Sequence, residues 1–281
     1  GEIFIDATAG AGGHAKSIGE RIGEDGKLML VDWDEETVRA LEKVVRTFSN
    51  ARVVLGNYAD IPELMARFNF PKPDMLLIDL GFSSDQLLRG RGFSFQPIAQ
   101  NEPLLMTYSD SSEPVRDILS RIKLKELTEI IVSFGEERFA KKIAEEIFSR
   151  RGKIKTSGDL VKAISAVVSK NYEQGRRQDG ASRIHPATRT FQALRIYANK
   201  ELKNLEKILE AVPEILNPGG RVAVISFHSL EDGIVKEAFH NFEKEKLGKC
   251  LNKKPIQAGF EEVARNPRSR SAKLRVFKLF T

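Results

Sequence analysis

Ile3-Phe4-Ile5-Asp6-Ala7-Thr8-Ala9-Gly10-Ala11-Gly12-Gly13-His14 opens the chain, and its order decides the fold. A short apolar run ends on a carboxylate, a glycine-rich turn follows, and His14 to Ile22 reads as a short helix. Continuous apolarity over a strand length means a strand covered on both faces, as in a parallel sheet. Glycine lets the backbone approach a ligand where a Cβ would block it. Gly10-Ala11-Gly12-Gly13-His14-Ala15 fits the form G-x-G-x-x-A between a strand and a helix. That form suits a dinucleotide about as well as S-adenosylmethionine, and a tight turn with no ligand is the third possibility.

The same pattern repeats down the chain. Leu28 to Val31 is a second apolar run, closed by Asp32, and Asp34 is placed to cap a helix from about Glu35 to Phe48. Val53 to Leu55 ends near Asn57-Tyr58, and Pro62 suits the first turn of a helix reaching Phe68. Met75 to Ile78 is a fourth run, closed by Asp79. The alternation then stops. Gly81 to Pro103 reads as a long loop rich in Gly, Ser and Arg, of the kind that is usually functional. From about Glu113 to Lys170 the apolar period is helical throughout. The first pattern returns after His185-Pro186: a helical stripe through Leu202, Leu205, Leu209, Val212 and Leu216, a turn at Asn217-Pro218-Gly219-Gly220, and a strand at Val222 to Ile225 ending in Ser226-Phe227-His228. Leu274, Val276, Leu279 and Phe280 mark a terminal strand. The expectation is an α/β fold, a doubly wound and mostly parallel sheet. Residues 1–102 and 186–281 form its core, and 103–185 form an inserted all-helical domain expected to recognise substrate.

Composition sets outer bounds. At 281 residues the chain has room for about two domains. Its one cysteine, Cys250, cannot pair within the chain, which points to a reducing compartment, a cytoplasm or an organellar matrix. No apolar run approaches the roughly 18 residues of a membrane span. No signal-peptide pattern opens the chain, and the strand already under way at Ile3 leads us to expect a longer natural N-terminus. The net charge of +6 is concentrated. Lys170 to Arg195 has six basic residues against Glu173 and Asp179, and Val263 to Thr281 has six and no acid. Local positive charge on a nearly neutral body is the footprint of a polyanion binder.

The strand ends are acidic: Asp6, Asp32 and Asp79. In an open parallel sheet, ligands sit beyond these ends, where the strand order reverses. A carboxylate beside the glycine turn repels a pyrophosphate and suits the ammonium and sulfonium of S-adenosylmethionine. Asp32, 22 residues after Gly10, is placed to accept ribose hydroxyls. A nicotinamide-dependent oxidoreductase stays as the alternative.

Longer motifs carry a resemblance over nearly the whole chain. They are Asp6 to His14, Asp79-Leu80-Gly81-Phe82-Ser83-Ser84, Arg91-Gly92-Phe93-Ser94-Phe95, Phe134-Gly135-Glu136-Glu137-Arg138, His185 to Arg195, Ser226 to Asp232, and Asn266 to Arg275. In order and spacing they resemble the RsmH (MraW) family, the ribosomal small-subunit RNA cytosine-N4 methyltransferases. The resemblance implies a class I, Rossmann-like methyltransferase core with an inserted helical domain. It implies S-adenosylmethionine as cofactor, held by Gly12, Gly13, His14, Asp32, Tyr58, Asp79 and Gln86. The implied partner is a cytosine at the decoding centre of 16S-type rRNA, within the assembled small subunit. Three departures stand out. The family's His-x-Pro-Val stretch ahead of the first strand is not in this sequence. Asn101 to Asp110 replaces a stretch with one more acid and one more arginine, and Gly233 stands where the family usually has Arg. The changed loop keeps a non-catalytic cofactor- and RNA-binding assembly factor open as an alternative.

Methyl transfer to a cytosine amine requires acceptors aimed at the amine hydrogens, and neither metal nor covalent nucleophile. Asp79 is the candidate acceptor, assisted by the Leu80 carbonyl; the competing role is binding cofactor only. Phe82, Phe93 and Phe95 can stack on an extruded base or else anchor the loop. Arg89, Arg91, Arg189, Arg195, Arg268, Arg270 and Arg275 are candidate phosphate contacts. His14 is expected to contribute its backbone as part of the turn. His228 is expected to be structural, with substrate contact the alternative. The four histidines and Cys250 lack metal-ligand spacing.

Overall fold

The computed structural model describes residues 1–46, 48–81, 86–87, 89–172 and 185–281, the side chains of 169–172 excepted. In chain order the elements are β1 (Ile3–Asp6), α1 (Gly13–Ile22), β2 (Lys27–Asp32), α2 (Glu35–Val44), β3 (Ala51–Leu55), α3 (Ile61–Arg67) and β4 (Met75–Asp79). There follow α4 (Val115–Arg121), α5 (Leu124–Gly135), α6 (Ala140–Arg150), α7 (Ser157–Tyr172), α8 (Thr188–Asn199) and α9 (Glu201–Ile215). The chain ends with β5 (Arg221–Ser226), α10 (Ser229–Lys244), β6 (Gly248–Cys250), β7 (Ile256–Gln257), α11 (Phe260–Arg265) and β8 (Lys273–Leu279). Among the described residues no helix is long and apolar enough to cross a membrane.

Two compact units separate: residues 1–83 with 202–281, and residues 84–201. The first holds an eight-stranded sheet in the order β3-β2-β1-β4-β5-β8-β6, with β7 also on β8. β1 to β5 run parallel; β8 lies antiparallel against β5. The strand order reverses between β1 and β4, which is where a doubly wound sheet leaves a crevice. Strand residues alternate between two apolar layers. Ile5, Met29, Leu76, Ile78, Val222 and Val224 meet Leu205, Leu209, Val212, Val235 and Phe239 of α9 and α10. Phe4, Leu28, Leu30 and Leu77 meet Ala15, Ile22 and Leu41 of α1 and α2. Burial on both faces is why these strands read as unbroken apolar runs.

Helix α2 stops at Val44, short of the expected Phe48. The chain turns instead, and the Phe48 ring settles on α1 at Gly19, where a Cβ would come within 3.0 Å of it. The strands β6 and β7 and the helix α11 escape a reading by periodicity, since each is six residues or fewer. β6 and β7 both pair with β8 on the side away from β5. Between them, Asn252 takes the place of a strand residue. Its Oδ1 accepts the Val276 amide at 2.8 Å and its Nδ2 donates to the Leu274 carbonyl at 2.9 Å.

The helical unit spans 84–201 rather than the expected 103–185. Its core explains the wider bounds. Phe93, Leu104 and Met106 from the preceding loop, and Phe191, Ala193 and Leu194 from α8, all join the apolar cluster of α4 to α7. Phe93 stacks on Tyr108 with centroids 5.4 Å apart, and Phe95 on His185 at 4.6 Å. Both rings are thereby loop anchors. Helices α5 and α8 touch at Gly135, where an added Cβ would lie 2.8 Å from the Arg189 carbonyl oxygen and 3.3 Å from the Ala193 Cβ.

Gly135→Ala should therefore destabilise the protein by about 1–3 kcal/mol, because a backbone oxygen cannot step aside cheaply. Gly152, with nothing within 4 Å of an added Cβ, is the control; its alanine variant should stay within about 0.5 kcal/mol. Urea unfolding of the two variants measures the difference.

Candidate active site

The C-terminal ends of β2, β1 and β4 place Asp32, Asp6 and Asp79 side by side on one edge of the sheet. The loop from β1 to α1 runs across that edge. Gly10 and Gly12 take positive φ, +50° and +82°, and an added Cβ at Gly12 would fall 2.7 Å from Leu41 Cδ1. Nothing but glycine fits at Gly12 without strain. Gly13 begins α1 with open space about its Cα.

Each carboxylate is handled differently. Asp32 accepts the Gly10 amide through Oδ2 and the Asp34 amide through Oδ1, both at 2.9 Å. It therefore fixes the glycine turn and the entry to α2, where Asp34 in turn caps Thr37. A carboxylate oxygen has more than one acceptor direction, so this is compatible with the ribose role expected from sequence.

Asp6 is fully buried. Its Oδ1 accepts the Thr8 amide at 3.2 Å; its Oδ2 is buried with no hydrogen-bond partner among the described residues. Burial above all pushes its carboxyl up to about 7, and the neighbouring Asp79 and Asp32 push the same way. The Thr8 amide and His14 pull against them.

Asp79 donates its amide to the Thr8 hydroxyl at 2.7 Å, which ties the end of β4 to the turn after β1. One carboxylate oxygen lies 3.5 Å from His14 Nε2. The other, Oδ1, is buried without a partner among the described residues. The bond to Asp79 is the main reason the His14 imidazole titrates above its ordinary value; burial opposes it and the Asp6 charge adds to it. To the backbone contribution expected of His14 the structure adds a side-chain one: its imidazole is the partner of Asp79. Thr8, which sequence reading passed over, joins both acids, and its only signal was a hydroxyl two residues beyond a strand-ending Asp.

The remaining candidates divide. Tyr58 starts a single 3-10 turn after β3, half-buried against the sheet core. Gln86 belongs to the helical unit and is buried in it. His228 caps α10 in a capping box with Glu231, the structural role expected for it. Three arginines expected on phosphate are committed inside the protein. Arg91 donates to Thr107 and to Asp110, the latter at 2.6 Å, and so pins the loop. Arg195 makes a two-pronged pair with Glu201 at 2.9 and 3.0 Å. Arg275 does the same with Asp232, joined by Lys273. Arg189 donates to the Glu136 carbonyl, closing the C-terminus of α5. Arg89 is half-buried, and Arg268 and Arg270 are exposed. Phe82 and three basic residues of the first charged stretch, Arg176, Arg177 and Arg183, lie outside the described residues.

This arrangement, a backbone cradle edged by three carboxylates, holds a small polar cation better than an anion. Comparison with known proteins gives the chain's family. The model of the MraW methylase family matches residues 1–280. A protein of Coprothermobacter proteolyticus named "Ribosomal RNA small subunit methyltransferase H" is 42% identical over 281 residues, 98% of this chain and 89% of that protein. Its namesake from Thermotoga neapolitana is 43% identical, covering 99% and 90% of the two chains. That of Halothermothrix orenii is 40% identical, covering 98% and 91%.

The acid cluster has a consequence for stability. Asp6 binds its proton up to about pH 7 in the folded chain, and only up to about 3.9 when unfolded. Between those limits the folded state holds a proton that the unfolded state has lost, so stability falls as pH rises from about 4 to 7. Denaturation midpoints measured across that window should decline, and Asp6→Asn should flatten the decline. An unchanged slope in that variant rules out Asp6 as its source.

Proposed function

The chain belongs to the MraW methylase family, and we propose on that premise that it methylates small-subunit ribosomal RNA with S-adenosylmethionine as donor. We propose further that the acceptor is the exocyclic N4 of a cytosine at the decoding centre, presented by the assembled subunit. The observation that carries this reading is the meeting of Asp6, Asp32 and Asp79 over the glycine turn, with Asp6 Oδ2 and Asp79 Oδ1 buried and unpartnered among the described residues.

These residues fit the donor. S-adenosylmethionine, when bound, supplies a methyl group made electrophilic by its sulfonium. The Asp6 oxygen that has no partner among the described residues suits a cationic ligand group, since a buried polar atom without a partner is costly until something meets it. Gly12, Gly13 and His14 provide the backbone cradle, and Asp32 a carboxylate for ribose hydroxyls. Tyr58, after β3, is the further residue of the first unit that we assign to the cofactor. The dinucleotide alternative is disfavoured, because three acids at the turn oppose a diphosphate.

The chain's own part in the chemistry centres on Asp79. A cytosine amine is a weak nucleophile because its lone pair is delocalised into the ring. Positive charge grows on N4 as it is alkylated. Asp79, with the His14 imidazole beside one carboxylate oxygen, offers the other as acceptor for an amine hydrogen. That contact strengthens as the charge develops, so it lowers the barrier instead of only tightening binding. Thr8 holds the Asp79 main chain in place. The target base must leave its stack to reach this edge. The exposed Arg268 and Arg270, with Arg89 and Arg189, are assigned to the phosphates, and the helical unit to recognition of the surrounding RNA.

Asp79→Ala should cut methyl transfer by about 10²–10³-fold at saturating donor, the usual loss when one charge-stabilising contact is removed. Near-normal turnover in a labelled-methyl assay on small subunits would take Asp79 out of the mechanism, and mapping the methylated nucleotide tests the N4 assignment. Affinity for the subunit should also fall steeply with salt, and less steeply after Arg268→Ala and Arg270→Ala. A binding isotherm that ignores salt between roughly 50 and 200 mM, the range over which phosphate contacts respond, speaks against the arginines.

A further inference from the structure

The excursion that β8 supports on its outer side, residues 251–272, has a surface that the donor site does not use. It begins beside the same sheet edge. Lys273, the first residue of β8, is in register with Ser226, the last of β5, and Ile225 with Asp79 of β4. Two strand spacings, roughly 10 Å, separate β8 from the strand of Asp79. β7 is anchored there by pairing Ile256 with Leu274 and Gln257 with Lys273. Asn266 anchors the other limb: its Oδ1 accepts the Arg268 amide, and its carbonyl accepts the Ser269 amide and hydroxyl. Ser269 is thus buried between Arg268 and Arg270, and both arginines face solvent. Helix α11 packs against this turn.

On that scaffold Phe260 is 90% exposed, and Ile256, four residues earlier in the same excursion, is 56% exposed. Phe260 is one wall of a shallow concavity of about 660 Å³, lined also by Gly259, Glu261, Glu262, Arg265 and Asn266. Charge tells what would cover it. From residue 251 to 272 the chain has five basic residues and two acidic, net +3. The two acids, Glu261 and Glu262, sit next to Phe260, while Arg265, Arg268 and Arg270 lie further along. A polyanion is drawn to the arginines and held off from the glutamates. An uncharged aromatic base is the part of it that can approach Phe260.

Resting on the rRNA reading above, we infer that residues 251–272 form a second RNA contact, in which Phe260 stacks on an unpaired base near the target nucleotide while Arg268 and Arg270 hold its phosphates. Stacking on an exposed ring tolerates any base, so this contact selects single-stranded character and not sequence.

Phe260→Trp in the full chain provides the probe, because Trp33 is the only other tryptophan and the parent protein gives its background. A short single-stranded oligouridylate should quench the new fluorescence, and an RNA duplex of equal length should not. Phe260→Ala should weaken the single-stranded oligonucleotide by between about fivefold and a hundredfold, the span of base–aromatic stacking, while S-adenosylmethionine is still bound. Equal affinity in Phe260→Ala, or equal quenching by duplex, overturns the inference. So does a variant that loses assembled subunits yet keeps the oligonucleotide, since that outcome assigns the ring to a protein partner. If the parent protein methylates no subunit RNA, the proposed function fails instead, whichever way Phe260 behaves.

Discussion

Three carboxylates at neighbouring strand ends must coexist where water is scarce, and much of the first unit is arranged around that requirement. Parallel pairing forces the coincidence: with β1 between β2 and β4, the residues that close the strands share one edge. Bare charges so placed would repel each other strongly in a poorly solvated site. The protein uses three separate remedies. Asp32 receives two main-chain amides. Asp79 has an imidazole beside it. Asp6, with the least help, keeps its proton to near neutral pH. The fixed turn at Gly10 to Gly13 follows from the first remedy, because the Asp32 carboxylate holds the Gly10 amide. One oxygen each on Asp6 and Asp79, buried without a partner among the described residues, is what the remedies leave over.

The outline of the sheet was legible because four of its five parallel strands are short apolar runs that stop at a polar residue: Ile3–Asp6, Lys27–Asp32, Met75–Asp79 and Arg221–Ser226. The acids at those ends were legible for the same reason. What lay beyond local reading depends on distant partners. The two-residue β7 exists only because Leu274 and Lys273 lie opposite it. Thr8 and His14 matter through Asp79, some seventy residues away. The bounds of the helical unit move outward because Phe93 and Phe191, from segments flanking the helices, find their burial there. Periodicity marks which face of an element is apolar, and it is silent about which apolar cluster that face will join.

Arginine was the residue type most prone to misreading. A sequence rich in Arg near conserved-looking motifs suggests phosphate, but guanidinium is equally suited to a two-pronged grip on carboxylate. Arg195 with Glu201 and Arg275 with Asp232 are such grips, each with little side-chain exposure. Asp232 shows the balance: burial favours its neutral form, yet Arg275 and Lys273 together hold it below the usual carboxylate range. Removing Arg275 would leave that acid buried without its main partner, a defect of folding and not of RNA affinity. Arg268 and Arg270 are exposed on either side of Ser269, which takes the interior position.

The amide of Asn252 on the flank of β8 settles a different problem. Between β6 and β7 the outer side of β8 would otherwise present the Val276 amide and the Leu274 carbonyl as a vacant slot, the kind of slot into which a strand from another molecule can zip. One side chain plugs it with a donor and an acceptor at matching distances. The sheet can then end there without recruiting copies of itself, and the chain is released to loop outward at the point where its basic excursion begins.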